Sequence, residues 1–293
     1  TVGSAGNVNL YGDIYTDGGL DFTGVTGNVS IDAAAVTLQT SSDNGAVDLT
    51  GTALEGGGSL TVNAGAGTVD FAGVGQTTAL ASLDVNTTGA TTLGGNITTD
   101  TGTGVLLDGA SNVDLGAGVT VNTSTNNGEI RLTGGAVDGN QALVLTAGGG
   151  AVNLGAMGQG IALASLDVTT TGTTTLSGNI SSQGAGGLDF TGADGGTVLG
   201  AAAVTLQSAA GNGPVNFQTS AISGAGNAVT FAAGGGALTL DDAGAAGTEL
   251  GGVTVSSAGN VNLYGDIYTD GGIDFTGVTG NVSIDAAAVT LQT

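Results

Sequence analysis

Short triplets with apolar ends and a mostly polar centre recur along this chain. Within the first 85 residues they are Val8-Asn9-Leu10, Leu20-Asp21-Phe22, Val29-Ser30-Ile31, Val36-Thr37-Leu38, Val47-Asp48-Leu49, Leu60-Thr61-Val62, Val69-Asp70-Phe71 and Leu83-Asp84-Val85. Alternation with a period of two, rich in β-branched residues and broken by Gly, Asn and Ala, is the pattern of short strands with one buried face. No stretch combines a helical period with capping residues. One turn of such a chain cannot bury its own apolar face, but stacked turns build a continuous core.

The triplets fall into longer units. Starts at Val8, Val29, Val47, Val69 and Thr91 are separated by 21, 18, 22 and 22 residues, and the short second step recurs in the next two blocks. The blocks span residues 8–90, 91–173 and 174–260, and residues 79–97 (ALASLDVNTTGATTLGGNI) nearly match residues 162–180 (ALASLDVTTTGTTTLSGNI). Residues 254–293 then repeat residues 1–40 at an offset of 253, differing only at Gly3/Ser256 and Leu20/Ile273. The expectation is an all-β fold, a parallel β-helix or β-solenoid, running as one continuous domain over residues 1–293. Its coil is expected to hold about 21 residues, giving about fourteen coils, with twelve coils and roughly 58 Å to each 253-residue period. No capping sequence is visible at either end. The expected partner is therefore the chain itself, end to end by covalent continuation or stacking, and side by side between fibres.

Composition narrows the function. The chain has 24 acidic residues, a single cation in Arg131, no His, no Cys and a net charge of −23. Nucleic-acid binding relies on Lys and Arg at phosphates, so it is not expected. Anionic membrane surfaces are disfavoured likewise, and no apolar run approaches the roughly 20 residues of a membrane helix. Without Cys or His there is no thiol nucleophile, no triad histidine and no structural zinc site.

The strings SLTVNAGAGTVDFAGVG (residues 59–75), TTALASLDV (77–85) and GGLDFTG (18–24) resemble the repeats of filamentous-haemagglutinin-like giant exoproteins of bacteria. The resemblance covers essentially the whole chain. It implies a secreted or surface-exposed filament or adhesin, an extracellular location and a right-handed β-helix.

Several outward constellations carry alternative readings. Arg131 is placed directly after Asp114 in a column of strand centres, as an outward ion pair or as a ligand-gripping group. Asp48 with Asp70, and Asp167 with Asp189, are expected to stack on neighbouring coils, as solvated carboxylates or as Ca²⁺ ligands, the one cofactor considered. Tyr11, Tyr15, Tyr264 and Tyr268 are expected to point outward beside Asp13 and Asp17, as a plain surface, a glycan or receptor contact, or a ridge between fibres. Asp241-Asp242 is the nearest approach to a glycosidase-like carboxylate pair, but the repeat continues unbroken through it. The threonine run at residues 169–175 suggests an ice-binding array only weakly, because its spacing does not persist. Sequons at Asn28, Asn96 and Asn179 are read as glycan acceptors or as asparagines hydrogen-bonded between coils. The leading expectation is a structural filament, sheath or stalk without enzymatic activity. The alternatives are an adhesin shaft that binds a glycan or host receptor and, remotely, a polysaccharide-cleaving β-helix.

Overall fold

The computed structural model describes residues 1–293 and is a parallel β-solenoid of roughly 12 coils, stacked about 23 residues apart. Contacts divide the chain into two compact units, Thr1–Gln141 with Thr146–Gly150 and Ala142–Leu145 with Ala151–Thr293. The only helix is one turn of 3-10 geometry, Ser124–Asn126.

In the first unit each coil contributes strands to three columns. One column runs Val8, Val29, Leu54, Val74, Ile97, Val121. The second runs Val36, Leu60, Leu83, Val105, Ile130. The third runs Leu20, Val47, Val69, Thr91, Val113, Val137. Every pairing is parallel and nearly in register, as a stack of similar coils requires. The second unit repeats the scheme, with one column through Thr174, Thr197 and Ile222, another through Val204, Val229 and Val253, and a third through Leu188, Val215, Leu238, Val261 and Val282.

The three columns correct the expected coil. A step from Val29 to Val47 joins two different columns: Val29 sits under Leu54, and Val47 sits over Leu20. A change of column likewise separates Val113 from Ile130 and Val198 from Val215. Counting each change as a coil shortened the apparent coil to 21 residues and raised the total to fourteen. Short strands on different faces look alike along the sequence, and only hydrogen bonding between coils separates them.

Inward packing follows the triplet ends. Ser59–Gly65 alternates strictly between buried and half-buried positions, and Leu60, Val62 and Ala64 are fully buried. Phe22, Phe71, Phe190, Phe217 and Phe231 are all buried, whereas Phe275 is half-buried. The Phe190 and Phe217 rings stack with centroids 4.5 Å apart and planes 9° from parallel, and Phe231 meets Phe217 edge-on at 6.1 Å. Such pairs contribute about 0.5–1.5 kcal/mol beyond area burial. Four buried hydroxyls, on Thr91, Thr99, Thr174 and Ser182, have no hydrogen-bond partner. They form two equivalent pairs one 83-residue block apart.

One corner recurs in all three blocks. In TSSDNG, TSTNNG and SAAGNG the asparagines Asn44, Asn127 and Asn212 adopt left-handed φ of 56°, 57° and 51°. Asn tolerates this region because its side chain bonds locally. Here each Oδ1 accepts a backbone N–H from the next coil: Ala66 at 2.7 Å, Gly149 at 2.6 Å and Gly235 at 2.7 Å. The hydroxyls of Thr40, Thr123 and Ser208 close the same loops on the carbonyls of Gly45, Gly128 and Gly213.

Candidate functional site

Outward side chains stand at the triplet centres and at the coil corners. At the corners, Asp13 Oδ1 accepts the Thr37 N–H at 2.7 Å, Asn96 Oδ1 that of Thr120 at 2.9 Å, and Asn179 Oδ1 that of Thr205 at 2.8 Å. Asp242 takes the Asp266 N–H and Asp266 takes the Thr290 N–H, at 2.7 and 2.6 Å. Asn96 and Asn179 are thus bonded between coils, the second of the two readings of their sequons. Asn28 sits differently, its own N–H donated to Asn7 Oδ1 at 3.1 Å.

Along the third column of the first unit the outward centres are Asp21, Asp48, Asp70, Thr92, Asp114 and Asp138. Asp48 and Asp70 are stacked neighbours, and so are Asp167 and Asp189 in the second unit. The longer acidic column, with Asp21 and Asp138 at its ends, was hidden by the column changes. Hydroxyl and amide donors on the same strands hold many of these carboxylates: Thr23 for Asp21, Thr50 for Asp48 and Thr191 for Asp189. The Thr23 hydroxyl, then its amide, keeps the Asp21 carboxyl below the ordinary range, whereas burial, then repulsion from Asp189, raises Asp167. Calcium asks for about six to eight oxygens. Each stacked pair supplies two carboxylates, and no group of three or more acidic side chains converges on a metal-sized space.

Arg131 is not beside Asp114, as the sequence suggested. It lies opposite Leu106, and Asp114 faces Asp138 instead. Nε and Nη2 grip Glu129, both at 2.9 Å, and Nη1 reaches Asp108 at 3.1 Å. These bonds, with Asp108 first, raise the guanidinium further above its usual value. Asp84, in the same column, is raised mainly by burial. The outward ion pair therefore exists with different partners, and exposed pairs of this kind contribute about 0–1 kcal/mol.

Tyr11 and Tyr15 are 74% and 65% exposed, but their equivalents Tyr264 and Tyr268 are half-buried. Tyr15 donates its hydroxyl to Asp13 at 3.1 Å, and the same bond recurs from Tyr268 to Asp266 at 3.4 Å. Asp17 shares a shallow groove with Tyr15, Gln39 and Ser42. Asp241 is raised by burial first and by Asp242 second, while Asp242 is engaged at its corner.

Sequence reasoning missed Glu55, the one buried carboxylate, at 5% exposure. It stands over Ser30 in the first column, and its Oε2 accepts the N–H groups of Thr77 and Thr78 at 3.0 and 2.7 Å. Beside it lies a polar groove of about 410 Å³ with Asn9, Asn28 and Asp32. Its only sequence signal is a Glu ending a strand ahead of three glycines. These bonds make Glu55 a turn cap.

Comparison with family models, with curated proteins and with solved structures finds no match.

Proposed function

We propose that this chain is a segment of a structural filament, sheath or stalk built from tandem 253-residue repeats. The observation that carries the reading is that the sequence returns after a whole number of coils. At about 23 residues per coil, the 253-residue offset amounts to about eleven coils. A repeat of eleven whole coils brings each side chain back to its own column and face, so an array can continue without a change of phase. The resemblance to filamentous-haemagglutinin-like exoproteins supports an extracellular, surface-exposed setting.

The outward chemistry fits the same reading. Corner carboxylates and amides are spent on the neighbouring coil, and the exposed tyrosines become half-buried wherever another coil covers them. Neither feature favours the glycan-binding shaft or a cleaving enzyme.

Cryo-electron microscopy of assembled material tests the proposal. The expected image is a fibre with strands stacked ~4.8 Å apart and an axial repeat near ~53 Å, eleven coils; this replaces the ~58 Å that twelve coils would give. Discrete particles without an axial repeat sink the filament reading.

A further inference from the structure

We infer that Asn44, Asn127 and Asn212 are succinimide-forming modification sites that the folded corner holds shut, so that each converts to aspartate or isoaspartate only while its own corner is open. The inference is independent of the filament reading.

Each of these asparagines precedes a glycine, as Asn44-Gly45, Asn127-Gly128 and Asn212-Gly213, and no other asparagine of the chain does. Glycine has no side chain to hinder attack by its own backbone nitrogen. In that attack the glycine nitrogen gives up its proton to solvent base and bonds to the asparagine Cγ. The Cγ–Nδ2 bond breaks, ammonia leaves, and a five-membered succinimide forms. Water then adds to either ring carbonyl and opens the ring to aspartate or isoaspartate. One water is consumed, one ammonia is released, and nothing is oxidised or reduced. All three asparagines are exposed, so their sequence and accessibility alone would make them fast sites.

The backbone opposes the reaction. Ring closure requires the glycine nitrogen to eclipse Cβ about the asparagine Cα–C bond. Asn127 has φ 57° and ψ 42°, which turns the Gly128 nitrogen to the side nearly opposite Cβ. Asn44 and Asn212 share the left-handed φ, at 56° and 51°. The attacking nitrogen is also engaged: Gly45, Gly128 and Gly213 donate their N–H groups to the carbonyls of Thr40, Thr123 and Ser208 at 3.1, 3.0 and 3.3 Å. The hydroxyls of the same three residues bond the glycine carbonyls, a second link across each loop. On the other side, each Oδ1 is held by an N–H of the next coil. Reaction therefore requires rotation about Cα–C, loss of the glycine N–H bond and release of Oδ1, which together amount to opening the corner.

The two products differ in what the corner does next. Aspartate keeps an oxygen acceptor, and Asp13 shows a carboxylate in that role, taking the Thr37 N–H at another corner. Isoaspartate carries the backbone through Cβ, and the extra methylene prevents the corner from closing again.

The test incubates the folded chain at mildly alkaline pH beside the same chain in urea, then digests both with pepsin at low pH and maps the peptides by mass spectrometry. The expected result is that these three asparagines convert first in the unfolded chain, and at least ~100-fold more slowly in the folded one. Thr123→Val removes the hydroxyl that closes one loop and should speed Asn127 alone, by roughly 2–10-fold. Ser208→Ala makes the matching test at Asn212. Equal rates in the folded and unfolded chains overturn the proposal, because the corner then protects nothing. Unchanged conversion in both variants overturns it too, since loop closure would not gate the reaction. Acceleration of all three sites by either variant would place control in opening of the whole chain and refute gating by the single corner.

Discussion

The left-handed asparagine corner offers a test with three internal replicates. Asn127 has φ 57°, and its Oδ1 accepts the Gly149 N–H at 2.6 Å. Alanine loses the bond, about 0.5–1.5 kcal/mol, and must hold a left-handed backbone, about 1–2 kcal/mol. Asn127→Ala should therefore cost roughly 1.5–3.5 kcal/mol by the sum of these terms. Glycine accepts positive φ freely, so Asn127→Gly should lose only the bond, about 0.5–1.5 kcal/mol. The same difference should appear at Asn44 and Asn212, whose geometry matches. A stack of coils need not unfold in one step, so a single global midpoint is the wrong readout. Hydrogen exchange reports local opening energies, and the loss should concentrate in Val119–Asn122 and Thr146–Gly150. If glycine proves as costly as alanine, backbone strain is not what fixes this residue. If the loss spreads evenly over the chain, coil-local stability is wrong.

Thr91→Val and Thr174→Val each remove a buried hydroxyl without a partner and should stabilise their coils by about 1 kcal/mol in denaturant-dependent exchange; a neutral or destabilising result would mean that an ordered water satisfies the group. Phe217→Ala empties a fully buried site between two rings and should cost about 3–5 kcal/mol by the same measurement, whereas a loss under about 1 kcal/mol would contradict its inward position. Asp167 is raised by burial and by Asp189, so the folded state binds its proton more readily than the unfolded one, and the penalty of its charge is present at neutral pH and disappears as pH falls through the carboxylate range. Asp167→Asn should accordingly stabilise its coil at pH ~7 by about 0.2–1 kcal/mol and match the parent below pH ~3; local opening energies from hydrogen exchange that differ by the same amount at both pH values would refute the cause.

The chemistry of single triplets was readable in the sequence. Apolar ends at Leu60 and Val62 pointed inward as alternation required, and the stacking of Asp48 on Asp70 and Asp167 on Asp189 followed from it. Column membership was not readable. Val29 and Val47 begin similar triplets, but one pairs in register with Leu54 and the other with Leu20 and Val69. That choice depends on where the intervening corners turn, and strands of two or three residues leave no local mark of it. Arg131 was assigned the wrong partner for the same reason. Glu55 escaped notice because its two donors, Thr77 and Thr78, come from the following coil.

The acidic column has a consequence in salt. Asp21, Asp48 and Asp70 occupy consecutive positions, as do Asp114 and Asp138, at a strand spacing of ~4.8 Å. A Debye length of about 10 Å at 0.1 M leaves each carboxylate exposed to its nearest neighbours, whereas about 3 Å at 1 M isolates it. Only one cation, Arg131, stands against 24 acids in this chain, so screening has little attraction to weaken and much repulsion to relieve. Ionic strength therefore acts on this molecule as a stabiliser, tightening the stack in brine and loosening it in fresh water.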